Sequence, residues 1–342
     1  MRIGLAGLGN VGAGVVRLLH ANRDLLKARG VSLTVVAASA RNRDKERSCD
    51  VSDIEWEDDP RALASRRDVE AVVELIGGAE GAALDVAAET LKHGKHLVTA
   101  NKDLIAAHGV EMARIAEESG VQLSFEAAVC GGIPVLKTLR EGLAGNRIDE
   151  IRGILNGTCN FILTRMGSDG ADFATALAEA QEHGFAEADP SADIDGRDSA
   201  NKLAILSAIA FGIVPDVSAI SVQGIRKVTL NDIRSAAQRG GAIKLIGHAR
   251  RVDRSIMQRV KPIFIPFDQM LAGVGGVINA VEISGDFMGD LMLQGAGAGG
   301  DATASAVVAD LIDIARGLRC PSFGRPAASL VSLTPAQRAN VG

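Results

Sequence analysis

One segment near the N-terminus constrains the chain more than any other. Arg2–Ala6 is a short apolar run, and it ends in Gly7-Leu8-Gly9-Asn10-Val11-Gly12, ahead of helical periodicity over residues 11–26. A GxGxxG pattern set between a strand and a helix is the fingerprint of a dinucleotide-binding fold. Gly7 permits the tight turn, Gly9 lets backbone approach a pyrophosphate, and Gly12 lets strand and helix pack closely. The helix start at Asn10 and Val11 then offers unpaired N–H groups and the positive end of the helix dipole to phosphate oxygens.

The residues that follow fit that beginning. Residues 32–38 and 69–76, His96–Thr99 and residues 121–125 are β-branched or apolar runs, and Ala82–Lys92 and residues 110–119 have helical spacing. Such alternation builds a parallel sheet wound by helices. Past Gly145 the character changes. Residues 150–155 read as a strand and Phe173–Glu182 as a helix, and an acidic loop over 186–198 leads into an apolar helix over 199–211. Residues 259–266 and 276–285 read as antiparallel strands, and residues 302–317 as a closing helix. The expected fold is α/β: a Rossmann-type doubly wound parallel sheet over residues 1–130, followed by an α+β catalytic and dimerisation domain over 131–320. Residues 321–342 are expected to be a tail, with the nucleotide domain as its candidate docking place. A chain of 342 residues has room for two domains, since single cores stop growing near roughly 250–300 residues.

Composition removes several classes. A formal net charge of −5 opposes a nucleic-acid binder, which needs a basic field. No apolar run approaches the roughly 20 residues that span a bilayer, and glycines from Gly4 onward interrupt any secretory leader. The expectation is a cytoplasmic protein. Cys49, Cys130, Cys159 and Cys320 are scattered, without CxxC or histidine spacing, and read as reduced thiols. The chain has no tyrosine, which excludes a dehydrogenase mechanism built on a tyrosine acid.

The end of the second strand carries the cofactor preference. An acid there would bind the ribose hydroxyls of NAD. Here the strand ends Ala37-Ala38-Ser39-Ala40-Arg41, with Arg43 and Lys45 beyond. Ser39 and Arg41 suit a 2′-phosphate, so NADP is expected over NAD.

Two lysines stand in chemically suggestive places. Lys102 ends Thr99-Ala100-Asn101-Lys102, just past a strand, where the carboxyl ends of a parallel sheet place ligands. Lys202 lies four residues after Asp198, so ammonium and carboxylate share one helical face. The loop before it holds Glu187, Asp189, Asp193, Asp195 and Asp198. Asp193-Ile194-Asp195-Gly196 imitates part of a calcium loop, but Lys202 would then stand where the bidentate glutamate belongs. The acids are better read as partners for Lys202 and for the amino group of a substrate. A lysine can protonate the alkoxide formed when hydride reaches an aldehyde, the more readily if burial or a second cation lowers its pKa.

Residues 7–12, 99–102, 125–134, 153–163, 184–202, 243–246 and 295–304 resemble homoserine dehydrogenase, in the family's order, across nearly the whole chain. The run Glu187, Asp193, Asp198, Lys202 is the most diagnostic part. The resemblance implies reversible, NAD(P)H-dependent reduction of L-aspartate 4-semialdehyde to L-homoserine, a step of threonine and methionine biosynthesis. It implies Lys202 as proton donor, and Lys102 as an assisting group in contact with nicotinamide and substrate. Glu187, Asp193 and Asp198 would bind substrate and orient the lysines, with Gly184 and the Asn156-Gly157-Thr158 segment beside them. Gly77, in Leu75-Ile76-Gly77-Gly78, and Gly299, in the glycine-rich turn before the closing helix, would approach the cofactor. The segment Phe125-Glu126-Ala127-Ala128-Val129-Cys130-Gly131-Gly132-Ile133-Pro134 resembles the family's site for a monovalent cation, usually sodium. Its ligands would be Glu126 with the carbonyls of Val129, Gly131 and Ile133; a plain glycine turn is the other reading. Cys130 has no histidine near it in sequence and reads as inert. The resemblance further implies a homodimer or dimer-based tetramer, and a short form without the amino-acid-sensing domain of many bacterial relatives.

Overall fold

The computed structural model describes residues 1–334 and residue 337. Two compact units divide the chain, the first from Met1–Gly142 together with Ala298–Val331 and the second built on Leu143–Gly297.

In the first unit, β1 (Arg2–Ala6), α1 (Asn10–Ala21), α2 (Arg23–Ala28), β2 (Thr34–Ser39), β3 (Glu55–Trp56), α3 (Ala62–Ser65), β4 (Ala71–Glu74), α4 (Ala82–Lys92), β5 (His96–Thr99), α5 (Lys102–Glu118), β6 (Leu123–Ser124) and α6 (Val135–Lys137) follow in order. The strands form one sheet in the order β3-β2-β1-β4-β5-β6, every pair parallel. This is the doubly wound order of a dinucleotide fold, whose ligand crevice opens at the carboxyl ends of β1 and β4, where the winding reverses. Every side chain of β4 is buried, as a strand covered on both faces requires.

The second unit contains β7 (Ile148–Ile154), α7 (Gly157–Ser168), α8 (Phe173–Glu182), α9 (Ser191–Ile194), α10 (Arg197–Phe211), β8 (Ser221–Val222), α11 (Leu230–Gln238), β9 (Gly241–Val252), β10 (Ser255–Pro266), β11 (Ile278–Gly285) and β12 (Gly289–Ala296). Its sheet runs β12-β11-β7-β9-β10-β8. All neighbours are antiparallel except β10 and β8. α10 is buried from Asp198 to Phe211 apart from Asn201 and packs against β7, β9 and β10.

The chain then returns to the first unit as α12 (Gly300–Ala315). Here the structure corrects the expected boundary at residue 131 and the placement of residues 298–320. α12 packs on α1 because Gly14 presents no Cβ at the crossing. A Cβ on Gly14 would lie 2.9 Å from the Gly300 carbonyl oxygen and 3.0 Å from the Ala304 methyl. Val15, Leu19, Val307 and Leu311 fill the layer around that crossing. The segment after it docks on β6 and α5: Ser322 Oγ donates to the Leu123 carbonyl at 2.9 Å, and Phe323 meets Phe125 with ring centroids 5.3 Å apart. Of the expected tail, residues 335, 336 and 338–342 lie outside the described residues.

Three other expectations shift. The helix expected over 110–119 begins at Lys102, because the Asn101 side chain accepts the Leu104 N–H and caps it there. The helix expected over 11–26 breaks at Asn22 into α1 and α2. The strands read at 259–266 and 276–285 share a sheet but are not partners: β10 pairs with β9, while β11 pairs with β7 and β12.

The α1–α12 crossing makes Gly14→Val the informative change for this unit. Overpacking of this kind costs about 1–3 kcal/mol, so thermal unfolding should move several degrees lower, with far-ultraviolet dichroism retained. An unchanged midpoint would mean that the two helices are not held at the spacing described.

Candidate active site

The glycine corner comes first. The Gly7 N–H donates to the Ser39 carbonyl at 2.8 Å, which joins the ends of β1 and β2. Gly7 has φ +112°, a conformation side chains resist. A Cβ at Gly12 would overlap the Gly7 carbonyl oxygen, whereas one at Gly9 would meet nothing within 4 Å. The corner is therefore closed where helix meets turn and open where a phosphate would approach. Gly9 caps α1 without any side-chain bond, leaving the first N–H groups of Asn10, Val11 and Gly12 to a ligand. The other glycine turn lies against this corner. A Cβ on Gly300 would come 2.9 Å from the Asn10 carbonyl oxygen, and Gly299 has φ +116° with open space around it. Arg17 of α1 ion-pairs with Asp301 of α12. These features fit a dinucleotide pyrophosphate.

Glu74 organises the next part of the same crevice. It ends β4 fully buried, accepting the N–H groups of Ile76 at 2.7 Å and Gly77 at 3.2 Å and the Thr99 hydroxyl at 2.6 Å. Thr99 Oγ1 accepts the Asn101 N–H at 3.0 Å, and Asn101 Nδ2 donates to the Gly78 carbonyl at 2.7 Å. The turn holding Gly77 and the corner holding Lys102 are thus one network, with Lys102 as the first residue of α5.

In the second unit the acidic loop and α10 meet the start of α7. Lys202 is 9% exposed, and its Nζ donates to the Leu155 carbonyl and to Asp198 Oδ2, both at 2.8 Å. Asn156 Nδ2 donates to the same Asp198 oxygen at 2.9 Å and to Asp193 Oδ1 at 2.7 Å. Leu155 itself is seated by the absence of side chains at Gly153 and Gly247, since a Cβ at either would stand 2.7 Å from its side chain. Burial, with the nearby Asp198 charge adding to it, pushes the Asp193 carboxyl above its ordinary range, against the Asn156 hydrogen bond and the Lys202 charge. Burial and the Asp193 and Asp198 charges also push the Cys159 thiol up, so that it stays a neutral thiol donating to the Asp193 carbonyl. The centre is a lysine donating to a backbone carbonyl and to one carboxylate of a pair that Asn156 joins.

The remaining expected substrate residues lie around it unequally. Gly157 opens α7, where a Cβ would sit 2.7 Å from the Val277 carbonyl oxygen. Thr158 Oγ1 donates to the Phe185 carbonyl at 2.6 Å, and Phe161 packs edge-on to Phe185 with centroids 5.1 Å apart. These contacts pin the loop that begins at Gly184, whose φ is +72°. Glu187 lies on that loop with its side chain exposed and outside the described hydrogen bonds of the Asp193–Asp198–Lys202 cluster.

The segment expected to hold a cation is in the first unit. Glu126 is buried, and its carboxylate accepts the N–H groups of Leu136 at 2.9 Å and Lys137 at 2.7 Å, while its own N–H donates to Asp310 at 2.9 Å. Burial, then the Asp310 charge, raises the Glu126 carboxyl to about 7. Burial likewise raises Asp310 to about 6. The Ile133 carbonyl already accepts the Val135 N–H at 2.7 Å, while the carbonyls of Val129 and Gly131 accept no described hydrogen bond. Two buried carboxylates this close leave a local shortage of positive charge, which a hard cation with its preference for oxygen would meet.

Comparison with known proteins agrees with this arrangement. Residues 134–312 match the family model "Homoserine dehydrogenase", and residues 7–126 match "Homoserine dehydrogenase, NAD binding domain". A homoserine dehydrogenase of Neisseria gonorrhoeae is 47% identical over 317 residues, covering 92% of this chain and 72% of the relative. The chain belongs to the homoserine dehydrogenase family. Among solved structures, a homoserine dehydrogenase from Thiobacillus denitrificans superposes with a TM-score of 0.92 at 44% identity, over 97% of this chain and 79% of that one. A hyperthermophilic archaeal homoserine dehydrogenase in complex with NADPH superposes with a TM-score of 0.77 at 28% identity, over 93% and 98% of the two chains. The protein is an NAD(P)-dependent oxidoreductase acting on a CH–OH group.

Two residues of this homoserine dehydrogenase framework escaped the sequence reading. Glu74 reads as the last residue of a buried strand, and only its position in an apolar run signals a partnered carboxylate. Lys244 is similar, a charge inside the apolar strand β9. Its Nζ donates to the Val274 carbonyl at 2.6 Å and to Asn160 Oδ1 at 3.2 Å. Asn160 in turn donates to the Val274 and Ile278 carbonyls. Lys244 therefore braces α7 one turn beyond Asn156.

Burial lowers the Lys244 pKa to about 8, from 10.5 in an exposed lysine. Between those values the unfolded chain holds more protons than the folded one, so stability rises with pH across that window. Keeping the ammonium charged therefore costs stability below pH 8, and the cost fades above it. In urea titrations of wild type and Lys244→Met, the stability difference should move in favour of wild type between pH 7.5 and 10. A difference independent of pH would contradict the assigned titration.

Proposed function

We propose that the chain reversibly reduces L-aspartate 4-semialdehyde to L-homoserine, with Lys202 as the proton donor and NADP as the preferred cofactor. The observation that carries the reading is the Lys202 ammonium held between the Leu155 carbonyl and Asp198, with Asn156 tying Asp198 to Asp193. A nicotinamide cofactor, when bound, would supply hydride to the aldehyde carbon. Negative charge then develops on the aldehyde oxygen, and Lys202 Nζ stabilises it and passes it a proton. In the reverse direction Lys202 takes the proton from the homoserine hydroxyl.

Asp193 and Asp198 receive the substrate's α-ammonium, which relieves the repulsion between them, and Glu187 adds charge from the loop that begins at Gly184. Asn156, Gly157 and Thr158 hold the loop and the start of α7 against these carboxylates. Lys102, fixed by the Asn101 cap, is the assisting proton-transfer group. Gly7, Gly9, Asn10, Val11, Gly12, Gly77 and Gly299 hold the cofactor through backbone. The preference for NADP rests on Ser39 and Arg41, with no acid at the end of β2.

Glu126 and the carbonyls of Val129, Gly131 and Ile133 would hold a sodium ion in the first unit. The enzyme works in the cytoplasm as a homodimer, or as a dimer-based tetramer, joined through the second unit's sheet. That assembly would cover apolar side chains left exposed in this unit, such as Phe267, Met270 and Phe287.

The direct test is homoserine oxidation at alkaline pH with NADP and with NAD, for wild type and Lys202→Ala. We expect homoserine-dependent reduced cofactor at 340 nm from wild type, and a loss of at least about 100-fold in the variant, the usual scale for an acid/base group. A folded wild type without turnover on either cofactor would reject the assignment. A rate with NAD well above that with NADP would reject only the cofactor preference.

The cation has its own signature. Protons compete for Glu126 and Asp310 near their raised pKa values of about 7 and about 6. Sodium chloride should therefore raise the melting temperature more than choline chloride does, and more at pH 8 than at pH 5.5. Glu126→Gln should remove the ion-specific part. Equal shifts with both salts at pH 8 would exclude the site.

A further inference from the structure

Ser39 and Arg41 account for a preference but not for a built subsite, because an exposed run of cations would repel itself and lose entropy on ordering. The structure contains what holds that run in place. Trp56 lies on β3, in register with Ala38 of β2, and the Glu57 N–H donates to the Ala38 carbonyl at 2.9 Å. Its ring is thereby fixed beside the end of β2. Two guanidinium groups from the loop lie over that ring, Arg47 at 5.0 Å and Arg43 at 5.7 Å from its centroid.

Arg47 is the tie. Its Nε donates to the Leu8 carbonyl of the glycine corner at 3.1 Å. Its Nη1 donates to the carbonyls of Arg43 at 2.8 Å and Lys45 at 2.6 Å, and its Nη2 to the carbonyl of Asn42. One side chain thus gathers the loop's backbone and ties it to the pyrophosphate turn. Past the loop, Arg17 of α1 also holds Ser48. Arg41, Arg43 and Lys45 form no ion pair with any carboxylate among the described residues. The guanidinium fork suits this task, since its planar donors reach several carbonyls that a single ammonium cannot.

Resting on the NADP reading above, we propose that residues 41–47 form a preformed subsite for the adenosine 2′-phosphate, in which Arg47 is the positioning residue and Trp56 the platform. Arg41, Arg43 and Lys45 are the charges left for the phosphate dianion. Prior ordering converts their attraction into affinity, because the cost of fixing the loop is met on folding rather than on binding.

Trp56 is the only tryptophan in a chain without tyrosine, so its fluorescence reports on this loop alone. The experiment titrates adenosine 2′,5′-bisphosphate and AMP into full-length wild type, Arg47→Gln, Arg47→Lys and Arg43→Gln, following Trp56 emission. We expect wild type to bind the bisphosphate at least tenfold more tightly than AMP, with a change in emission. In Arg47→Gln that ratio should fall about tenfold. Arg47→Lys should not restore it, because it keeps the charge but not the fork. Arg43→Gln, which removes only a ring contact and a charge, gives a second measure should Arg47→Gln not fold, and should lower the same ratio.

The NADP:NAD ratio of kcat/KM on homoserine should fall in parallel. A wild-type discrimination retained in Arg47→Gln, or rescued in full by Arg47→Lys, would overturn the proposal. So would equal affinity of wild type for the two nucleotides. Wild-type turnover separates the two readings. Homoserine oxidation with an unaltered cofactor ratio in the variants leaves the enzyme assignment standing and removes the subsite. Absence of turnover removes the assignment, and the nucleotide titration still decides the subsite.

Discussion

At the start of α1 the backbone must come closer to its neighbours than any Cβ allows, and the nucleotide unit depends on that approach. Gly12 faces the Gly7 carbonyl, and Gly14 faces Gly300 and Ala304. The first approach sets how α1 leaves β1. The second brings α12 back from the far end of the sequence, so the unit is assembled from two separate stretches of chain. The consequence is electrostatic as well as steric. The first residues of α1 and α12 lie together, and two sets of unpaired N–H groups share the corner where a pyrophosphate would be held. Neither end has a side-chain cap to compete with it.

Buried carboxylates are used in two distinct ways. Glu74 is surrounded by donors, two backbone N–H groups and a hydroxyl, and serves to fix geometry. Glu126 with Asp310, and Asp193 with Asp198, are pairs of like charge, and in both pairs a carboxyl is pushed up by burial and by its neighbour. A like-charged pair kept out of water is short of positive charge. In the second unit Lys202 meets part of that demand, and a substrate ammonium would meet more. In the first unit Lys137 lies 3.8 Å from Asp310, and Arg140 opposes the raised pKa of both acids. The same physical deficit would be met by the proposed substrate ammonium at one pair and by the proposed cation at the other.

Much of this was legible in the sequence where local rules and tertiary demands coincide. Arg2–Ala6, Ala82–Lys92, His96–Thr99 and Phe173–Glu182 begin and end in the structure where their patterns do. The Asp198 and Lys202 pairing follows from helical spacing alone. Elements that break a simple pattern were harder to read. β9 alternates apolar residues with Lys244, His248 and Arg250, so its strand character is masked by charged and polar residues, of which the fold buries Lys244 and His248. The discontinuous first unit was illegible for another reason, since nothing local in residues 300–315 says that α1 is their partner. Glu187 marks the limit of motif reasoning: its place in the acidic run is clear, yet its side chain is exposed while Asp193 and Asp198 are drawn into the cluster.

The two lysines proposed for the chemistry are supported by the same device. Asn101 caps α5 through Oδ1 and the Leu104 N–H, and its Nδ2 donates across to the Gly78 carbonyl. Asn156 caps α7 through Oδ1 and the Cys159 N–H, and its Nδ2 donates across to Asp193 and Asp198. Serine, threonine and aspartate cap helices as well as asparagine does. An aspartate offers no donor, however, and would bring a third negative charge against Asp193 and Asp198. A hydroxyl has one hydrogen and could not serve two carboxylates at once. Only the amide can end a helix with its oxygen and hold a second element with its nitrogen. The choice of asparagine at both positions therefore follows from what must be held beyond the helix: a glycine turn in one unit and a carboxylate pair in the other.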